Sequence, residues 1–600
     1  MCGIAAIYAY QPDAAPVDGI ELEAIRDHMI PRGPDGAGSW VSENGRIGLA
    51  HRRLSIIHLS RAAAQPMAFE EGRYRITYNG EIYNFLEIRQ ALEVKGHVFK
   101  TRSDTEVLLH LYHRYGEKMV DHLRGMYAFA LWDESKKGLL LARDSFGIKP
   151  VYYSDTGGTF RVASTVKALK AGGKAGFGAS SAGQVGFFLF GYVPEPYTLF
   201  DDIHSLPAGT TLWVDEVGAG QPKKFFDVVT HLSEVSESNA KASPADLRET
   251  LLDSIRSHLL ADVPVGVFLS SGLDSTTITA LAAECHGAGL ETVTLGFDEF
   301  KGTDKDETLL AEKVAGLYGT HHRTEWVAGS AFHEERDALF AAMDQPTIDG
   351  INTYFVSKAA AKSGLKVALS GLGGDEIFGG YDTFSQVPKL ARWGGMVPGG
   401  QVLGRGFRAI SAPLLNHFST SISPKTAGLL ELGTCLGDAY LLRRGLFMPW
   451  ELPQILDADL VRDGWDKLQP LIRLNTTFDL IPEPQRAIAA LEMEWYMRCQ
   501  LLRDADWAGM AHSLEIRVPL VDQVMFKGLA PLIGRAGGYG KKDMAQTPAT
   551  ALPEDILNRS KTGFFVPVRD WLQGEATAAG QNAERGLRGW ARDVYSQAVA

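Results

Sequence analysis

A chain of 600 residues is too long for one hydrophobic core, so two or three domains are expected. Hydrophobic residues at 45% and charged residues at 22% give an ordinary globular balance, which sets disordered and fibrous classes aside. The formal net charge of −12 works against broad binding to nucleic acid or anionic membranes.

The chain opens "MCGIAAIYAY". An aminopeptidase that removes Met1 accepts a small second residue, and Cys2 qualifies. The mature chain would then carry a thiol and a free α-amine on one residue. An amine with a pKa of about 7.7–8.0 can take a proton from a thiol of about 8.5, so one residue supplies nucleophile and base. Taken alone, a chance cysteine on a strand is the simpler explanation. Only four cysteines occur, Cys2, Cys285, Cys435 and Cys499. They lack metal-type spacing, which suits a reducing compartment and no disulfide framework. The first ten residues lack a basic leader and a long apolar core. The longest uncharged stretch, 175–194, is interrupted by Gly and Ser. A cytoplasmic protein without membrane or nucleic-acid partners is expected.

Residues 1–215 carry short β-like runs, among them "GIAAIYAY", "YRITYNGEIY" and "YAFALWD", with helical stretches near 19–30 and 85–95. They predict a layered α+β domain. Residues 230–245 turn polar and Ser/Glu-rich, and a linker is expected at 216–245. From 246 onward helices alternate with the apolar runs "VPVGVFLS", "ETVTLGF" and "LKVALS". That alternation predicts a parallel α/β sheet with ligands at the carboxyl ends of its strands. After about 385 the pattern is almost entirely helical.

"VFLSSGLDSTT" (267–277) reads as a strand, a Ser/Gly turn and a helix start, where backbone N–H groups form an anion site. It lacks the Gly-Lys-Ser/Thr ending of a Walker A loop. Small hydroxyl residues without a lysine suit a pyrophosphate held while its α-phosphorus is attacked. Ser270, Ser271, Gly272 and Ser275 would cradle it, and Asp274 would help to bind Mg²⁺. For this loop alone, a βα turn capped by Asp274 or Ser275 is the structural alternative. A second strand-end loop, "LKVALSGLGGDEIFGGY" (365–381), adds the carboxylates Asp375 and Glu376, making an Mg–pyrophosphate site. Further on, "NRSKTGFFVP" offers Arg559 and Lys561 as cations for the pyrophosphate. Adjacent His321 and His322 make a poor zinc pair.

Together and in order, "MCGI", "RGPDG", "HRRLSI", "NGEIYN", "SDTE", "RDSFGIKPVYY", "SSGLDS", "SGLGGDE" and "SLEIRVPLVD" resemble glutamine-dependent asparagine synthetases. That family fuses a class II glutamine amidotransferase domain, an αββα sandwich of the N-terminal nucleophile hydrolase type, to an ATP-pyrophosphatase domain. The resemblance implies domains at 1–215 and 246–600, with Cys2 as the glutaminase nucleophile. By the same resemblance Asn79 and Gly80 supply the oxyanion donors, and Arg53 clamps the glutamine α-carboxylate. Ile56 and Ile57 belong to the glutamine site, and Glu81 and Asp104 accept its α-ammonium. Arg32 and Asp35 are framework residues of the thiol pocket. Leu269 and Leu295 hold the adenine, Ser370 and Gly371 contact the nucleotide, and Asp274 and Asp375 are Mg²⁺ ligands.

The implied reaction uses ATP, Mg²⁺, glutamine and aspartate or another carboxylate. Ammonia would pass between the sites through a mostly apolar channel. The oligomeric state stays open, with a homodimer in view. One departure bears on the acyl substrate: the family's second loop commonly reads Ser-Gly-Glu-Gly, its glutamate tied to aspartyl-adenylate formation, and here that position is Leu372. Lesser departures are Ser271 for Gly, Thr165 for Glu and Ala545 for Arg. The competing readings are amidation of a glycan, antibiotic precursor or peptide, an intramolecular amide former of the β-lactam synthetase type, and a non-catalytic binding protein on a synthetase scaffold.

Overall fold

The computed structural model describes residues 2–235, 243–287, 289–397, 403–410, 424–559, 567, 571 and 587–599. Strand Gly3–Ala9 is apolar and buried throughout because both of its faces are covered. Side chains alternate across a strand. Ile4, Ala6 and Tyr8 therefore enter one core with Leu49, Ala128, Trp132, Leu141 and Phe160, between two sheets. Ala5 and Ile7 point the other way, onto Leu22 and Ile25 of helix Gly19–His28 and Leu169 of helix Val166–Gly172.

The first sheet runs, in spatial order, His204–Ser205, Tyr152–Thr156, Thr159–Ala163, Gly3–Ala9, Ile47–Arg53 and Gly36–Val41, with antiparallel pairing. The facing sheet runs Gly218–Ala219, Thr210–Asp215, Gly138–Arg143, Gly125–Asp133, Tyr74–Ile82 and Met67–Phe69, also antiparallel. Its outer face, through Ile76 and Tyr78, packs on Leu108, Leu111 and Tyr112 of helix Asp104–Tyr115. The result is an αββα sandwich.

The later unit holds a parallel five-stranded sheet in the order His321–Val327, Glu291–Phe297, Val265–Phe268, Val367–Leu369 and Glu515–Arg517. The chain winds outward from Val265–Phe268 in one direction, then resumes at Val367–Leu369 on the other side. These two strands flank the topological switch point, where a crevice opens at their carboxyl ends. Helices such as Leu436–Arg444, Ala458–Leu468 and Pro470–Leu480 follow.

Two expectations differ from what is seen. The segment expected as a linker is ordered in part. Gly218–Ala219 and Lys223–Lys224 both pair with Thr210–Asp215, and helix Val228–Glu234 buries Val228, Val229 and Leu232. Main-chain pairing needs no apolar side chain, so polar composition concealed it. Strands His321–Val327 and Glu515–Arg517 extend the parallel sheet beyond the three apolar runs seen in the sequence. The former sits at an edge with polar residues, and the latter is three residues long with Glu515 and Arg517 around Ile516. Among the described residues no helix is long and apolar enough to cross a membrane.

The inter-sheet core gives a direct test. Phe160 is fully buried there, and truncating such a ring costs about 3–5 kcal/mol. Phe160→Ala should lower the stability of the sandwich by that amount in denaturant titration. A cost below about 1 kcal/mol would contradict a core shared by the two sheets.

Candidate active sites

Cys2 sits at the head of strand Gly3–Ala9 and is buried. Its backbone N–H donates to Asn79 Oδ1 at 2.8 Å, and its thiol faces the Leu54 carbonyl oxygen at 3.9 Å. Burial pushes the thiol pKa up. Asn79, Gly80 and Glu81 lie on Tyr74–Ile82 in the facing sheet. A peptide N–H requires an acceptor, so the Asn79 amide must turn its oxygen to Cys2. Its Nδ2 is left buried without a partner, a donor available to an anionic oxygen beside the thiol. At Gly80 a Cβ would lie 2.1 Å from the Met126 carbonyl oxygen, so no side chain fits.

Arg53 ends strand Ile47–Arg53, and its fork is pinned by the carbonyls of Ser60 at 2.8 Å and His58 at 2.6 Å. Buried Ile56 and half-buried Ile57 follow on the same segment. Asp104, the first residue of helix Asp104–Tyr115, accepts from the Tyr78 hydroxyl at 2.8 Å and the Ile82 N–H at 3.2 Å. Burial raises its pKa. Glu81 is also buried, and desolvation holds its pKa well above the carboxylate range. Its Oε2 has no hydrogen-bond partner. A ligand cation entering between Glu81 and Asp104 would restore the charged form. His51 lies 3.0 Å from the Tyr78 carbonyl through Nε2, and burial lowers its pKa to about 3.

The framework residues reach into the second domain. Arg32 donates from Nε to the Cys2 carbonyl at 3.2 Å and grips Asp506 with its two terminal nitrogens at 2.6 and 3.1 Å. Asp35 accepts from the Ser55 N–H at 2.7 Å and pairs with Lys366 at 2.7 Å.

The second site is a cavity of about 500 Å³ at the switch point. Leu269 and Leu295 give it an apolar end, where Ile556 belongs to the same apolar cluster as Leu269. The first loop closes through its own hydroxyls. Ser270 Oγ lies 2.8 Å from Ser275 Oγ and accepts from the Gly272 N–H at 3.1 Å, while Ser271 Oγ is buried without a partner. The second loop, with Ser370, Gly371 and Leu372, lines the same cavity. A Cβ at Gly371 would stand 2.9 Å from Asp274 Cβ, and one at Gly374 2.6 Å from its Cγ. Glycine at both positions lets the second loop approach Asp274.

Asp274 and Asp375 converge on one cation, the ammonium of Lys541. It hydrogen-bonds both carboxylate oxygens of Asp274 and lies 2.8 Å from Asp375 Oδ1. Two carboxylates gathered so closely also suit a hydrated divalent ion completed by phosphate oxygens. Among the described residues no cluster of three or more His, Cys, Asp or Glu holds a metal unaided. Glu376 is buried, accepts from the Tyr381 hydroxyl at 2.8 Å, and has its pKa pushed up to about 7 by desolvation.

Arg559 lines the cavity and pairs with Glu307 at 3.6 Å. Lys561 lies outside the described residues. His321 and His322 are bound to Glu291 at 3.3 Å and to Thr292 Oγ1 at 3.0 Å, on an edge strand. Thr165 caps helix Val166–Gly172, and Ala545 packs on Ala280 and Leu552. Lys541 was missed from sequence; the Gly-flanked lysine pair in "GYGKKD" was its only signal.

A cysteine heading an antiparallel sandwich, beside a parallel sheet with paired Ser/Gly loops, defines the class: an amidotransferase domain joined to a synthase domain. Residues 1–226 match the glutamine amidotransferase domain family and residues 246–587 the asparagine synthase family. The chain belongs to the glutamine-hydrolysing asparagine synthetase family. It is 32% identical over 585 residues to asparagine synthetase [glutamine-hydrolyzing] 1 of Bacillus subtilis, covering 96% of this chain and 88% of that one. It is 33% identical over 408 residues to asparagine synthetase B of Escherichia coli, covering 65% and 66% respectively. A fungal relative, amidase chry2 of Gibberella zeae, is 30% identical over 408 residues, covering 61% and 56%.

Gly80→Ala tests the thiol site. Displacing this strand misplaces Asn79, and loss of an oxyanion donor costs about 10²–10³-fold. Glutamate release from glutamine should fall by at least that factor. Unchanged release would contradict the placement of the reacting carbonyl beside Asn79 and Gly80.

Proposed function

We propose that the chain is a glutamine-hydrolysing asparagine synthetase that activates aspartate by adenylation. The observation that carries this reading is the convergence of Asp274, Asp375 and Lys541 on a cavity rimmed by two Ser/Gly loops. That arrangement suits pyrophosphate as a leaving group better than transfer of a γ-phosphate.

At the first site the Cys2 thiolate attacks the glutamine amide carbon, with the oxyanion held by Asn79 Nδ2 and the Gly80 N–H. The thiol proton passes to the Cys2 α-amine and from there to the departing nitrogen, which leaves as ammonia, and water cleaves the thioester to glutamate. Arg53 holds the α-carboxylate, and Glu81 and Asp104 hold the α-ammonium. At the second site Leu269 and Leu295 flank the adenine, and the Ser270–Ser275 loop with Ser370 and Gly371 holds the phosphates. The aspartate side-chain carboxylate attacks the α-phosphorus and pyrophosphate leaves. Ammonia then attacks the acyl carbon and AMP leaves. Lys541 offsets charge on the departing pyrophosphate. When bound, Mg²⁺ would be held by Asp274 and Asp375 and would neutralise phosphate charge.

Two substitutions separate the sites. Cys2→Ala should abolish glutamine-driven synthesis and spare ammonia-driven synthesis. Asp274→Asn should remove both while glutamine hydrolysis persists. The wild-type products should be AMP and pyrophosphate; ADP and phosphate would refute adenylation.

Leu372 favours a second reading, in which the same chemistry acts on another carboxylic acid. It lines the cavity where the family commonly has a glutamate, and leucine can neither take a proton nor bind a cation. Loss of a general base typically costs about 10²–10⁴-fold, unless buried Glu376 nearby takes over the role. We choose aspartate because the other motifs are retained. Aspartate-dependent exchange of labelled pyrophosphate into ATP should be robust in wild type. No exchange in wild type, with some in Leu372→Glu, would move the assignment to a different acyl substrate.

A further inference from the structure

Arg517 touches both sites. It lies fully buried on strand Glu515–Arg517, and its carbonyl oxygen accepts from the Ser370 N–H at 2.8 Å, at the start of the second phosphate-type loop. Its guanidinium points the opposite way, toward the glutamine pocket. Nε donates to Glu515 at 2.6 Å, and Nη1 donates to the carbonyls of His258 at 2.8 Å and Leu260 at 2.7 Å. Nη2 stands 3.8 Å from Glu81 Oε1, too far for a hydrogen bond, and has no other partner. Glu81 Oε2 is likewise buried and unpaired.

The loop that Arg517 grips also reaches the glutamine pocket. Two residues beyond Leu260, Asp262 donates its N–H to the Ile56 carbonyl at 3.0 Å and accepts from the His58 N–H at 2.7 Å. His58 in turn pins the Arg53 fork. A buried charge-assisted hydrogen bond left unmade is costly, and this one lacks only about 1 Å of closure to reach normal N⁺–H···O⁻ length.

We infer that Arg517 is a positioning residue that couples the two sites: closing its contact with Glu81 organises the glutamine pocket and fixes Ser370 for nucleotide together. This rests on the reading of Glu81 as the ligand of the glutamine α-ammonium. Glutamine and nucleotide then require the same placement of one side chain. Whichever binds first bears the cost of closing it, so each raises the affinity for the other by the same factor.

The test measures glutamine KM for glutamate release in the whole protein, with and without a saturating ATP analogue that cannot release pyrophosphate. Analogue affinity is measured with and without glutamine on Cys2→Ala. In the wild type the analogue should lower glutamine KM at least fivefold with kcat changed less than twofold. In Arg517→Lys, which keeps the charge but loses the fork, that factor should fall below two while basal glutamate release stays within threefold. Glu515→Gln provides an independent arm. With its carboxylate neutralised, Arg517 pairs with Glu81 unaided, so basal KM should drop toward the stimulated value. A wild-type glutaminase indifferent to the analogue would overturn the proposal, as would a factor that survives Arg517→Lys. If Arg517→Lys does not fold, an unchanged factor in Glu515→Gln overturns it instead. Absence of glutamate release from the wild type under every condition would refute the glutaminase reading itself.

Discussion

Charges buried between the two domains dictate how the rest of the molecule is arranged. Arg32 and Asp506 are 474 positions apart in sequence and both almost inaccessible, with side-chain exposures of 5% and 4%. Breaking such a pair by removing one partner typically costs about 3–5 kcal/mol, because the other charge is stranded. The domains are therefore held in one relative placement. That constraint reaches the chemistry directly, since Arg32 also donates to the Cys2 carbonyl. The thiol pocket is completed from the neighbouring domain, and the sandwich alone would leave Arg32 without its counter-ion.

The two sites place their groups by different means. In the sandwich, the candidate residues come from facing strands and a helix start, so the packing of one sheet on the other sets Cys2 against Asn79 while Arg53 hangs on loop carbonyls. In the parallel domain, the residues come from two turns at the carboxyl ends of adjacent strands. Glycine at 371 and 374 brings those turns together, and the Asp274–Lys541–Asp375 cluster forms where they meet. Strand ends suit a small amide substrate that needs a few fixed hydrogen bonds. Loop backbone suits phosphates, which need many N–H donors.

Much of this was legible in the sequence for identifiable reasons. Alternating and continuous apolar runs revealed a layered α+β domain and the central parallel strands, the family resemblance implied the sandwich, and Ser/Gly turns after apolar runs revealed the phosphate-type loops. Leu269, Ser270, Ser271, Gly272, Asp274, Ser275, Leu295, Ser370, Gly371, Leu372 and Asp375 line one cavity, as their motifs suggested. What stayed hidden depends on contacts between distant segments. Lys541 has no motif of its own, and its place between two aspartates exists only after folding. Asp506 reads as a helix-surface carboxylate until Arg32 is packed against it. Glu515–Arg517 looks too short and too charged for a strand, because the pairing of its charges within the interior cannot be seen from local pattern. The polar stretch after residue 216 hid two strand pairings made entirely by backbone.

The central claim is that the two sites form one ligase, with nitrogen passed inside the molecule. It is tested most directly by supplying glutamine labelled with ¹⁵N at the amide together with a large excess of unlabelled ammonium, and measuring the amide product of aspartate by mass. The account predicts a product carrying the glutamine label well beyond its share of the bulk ammonia pool in wild type. A product whose label merely matches bulk dilution, or no amide product from aspartate, would contradict it.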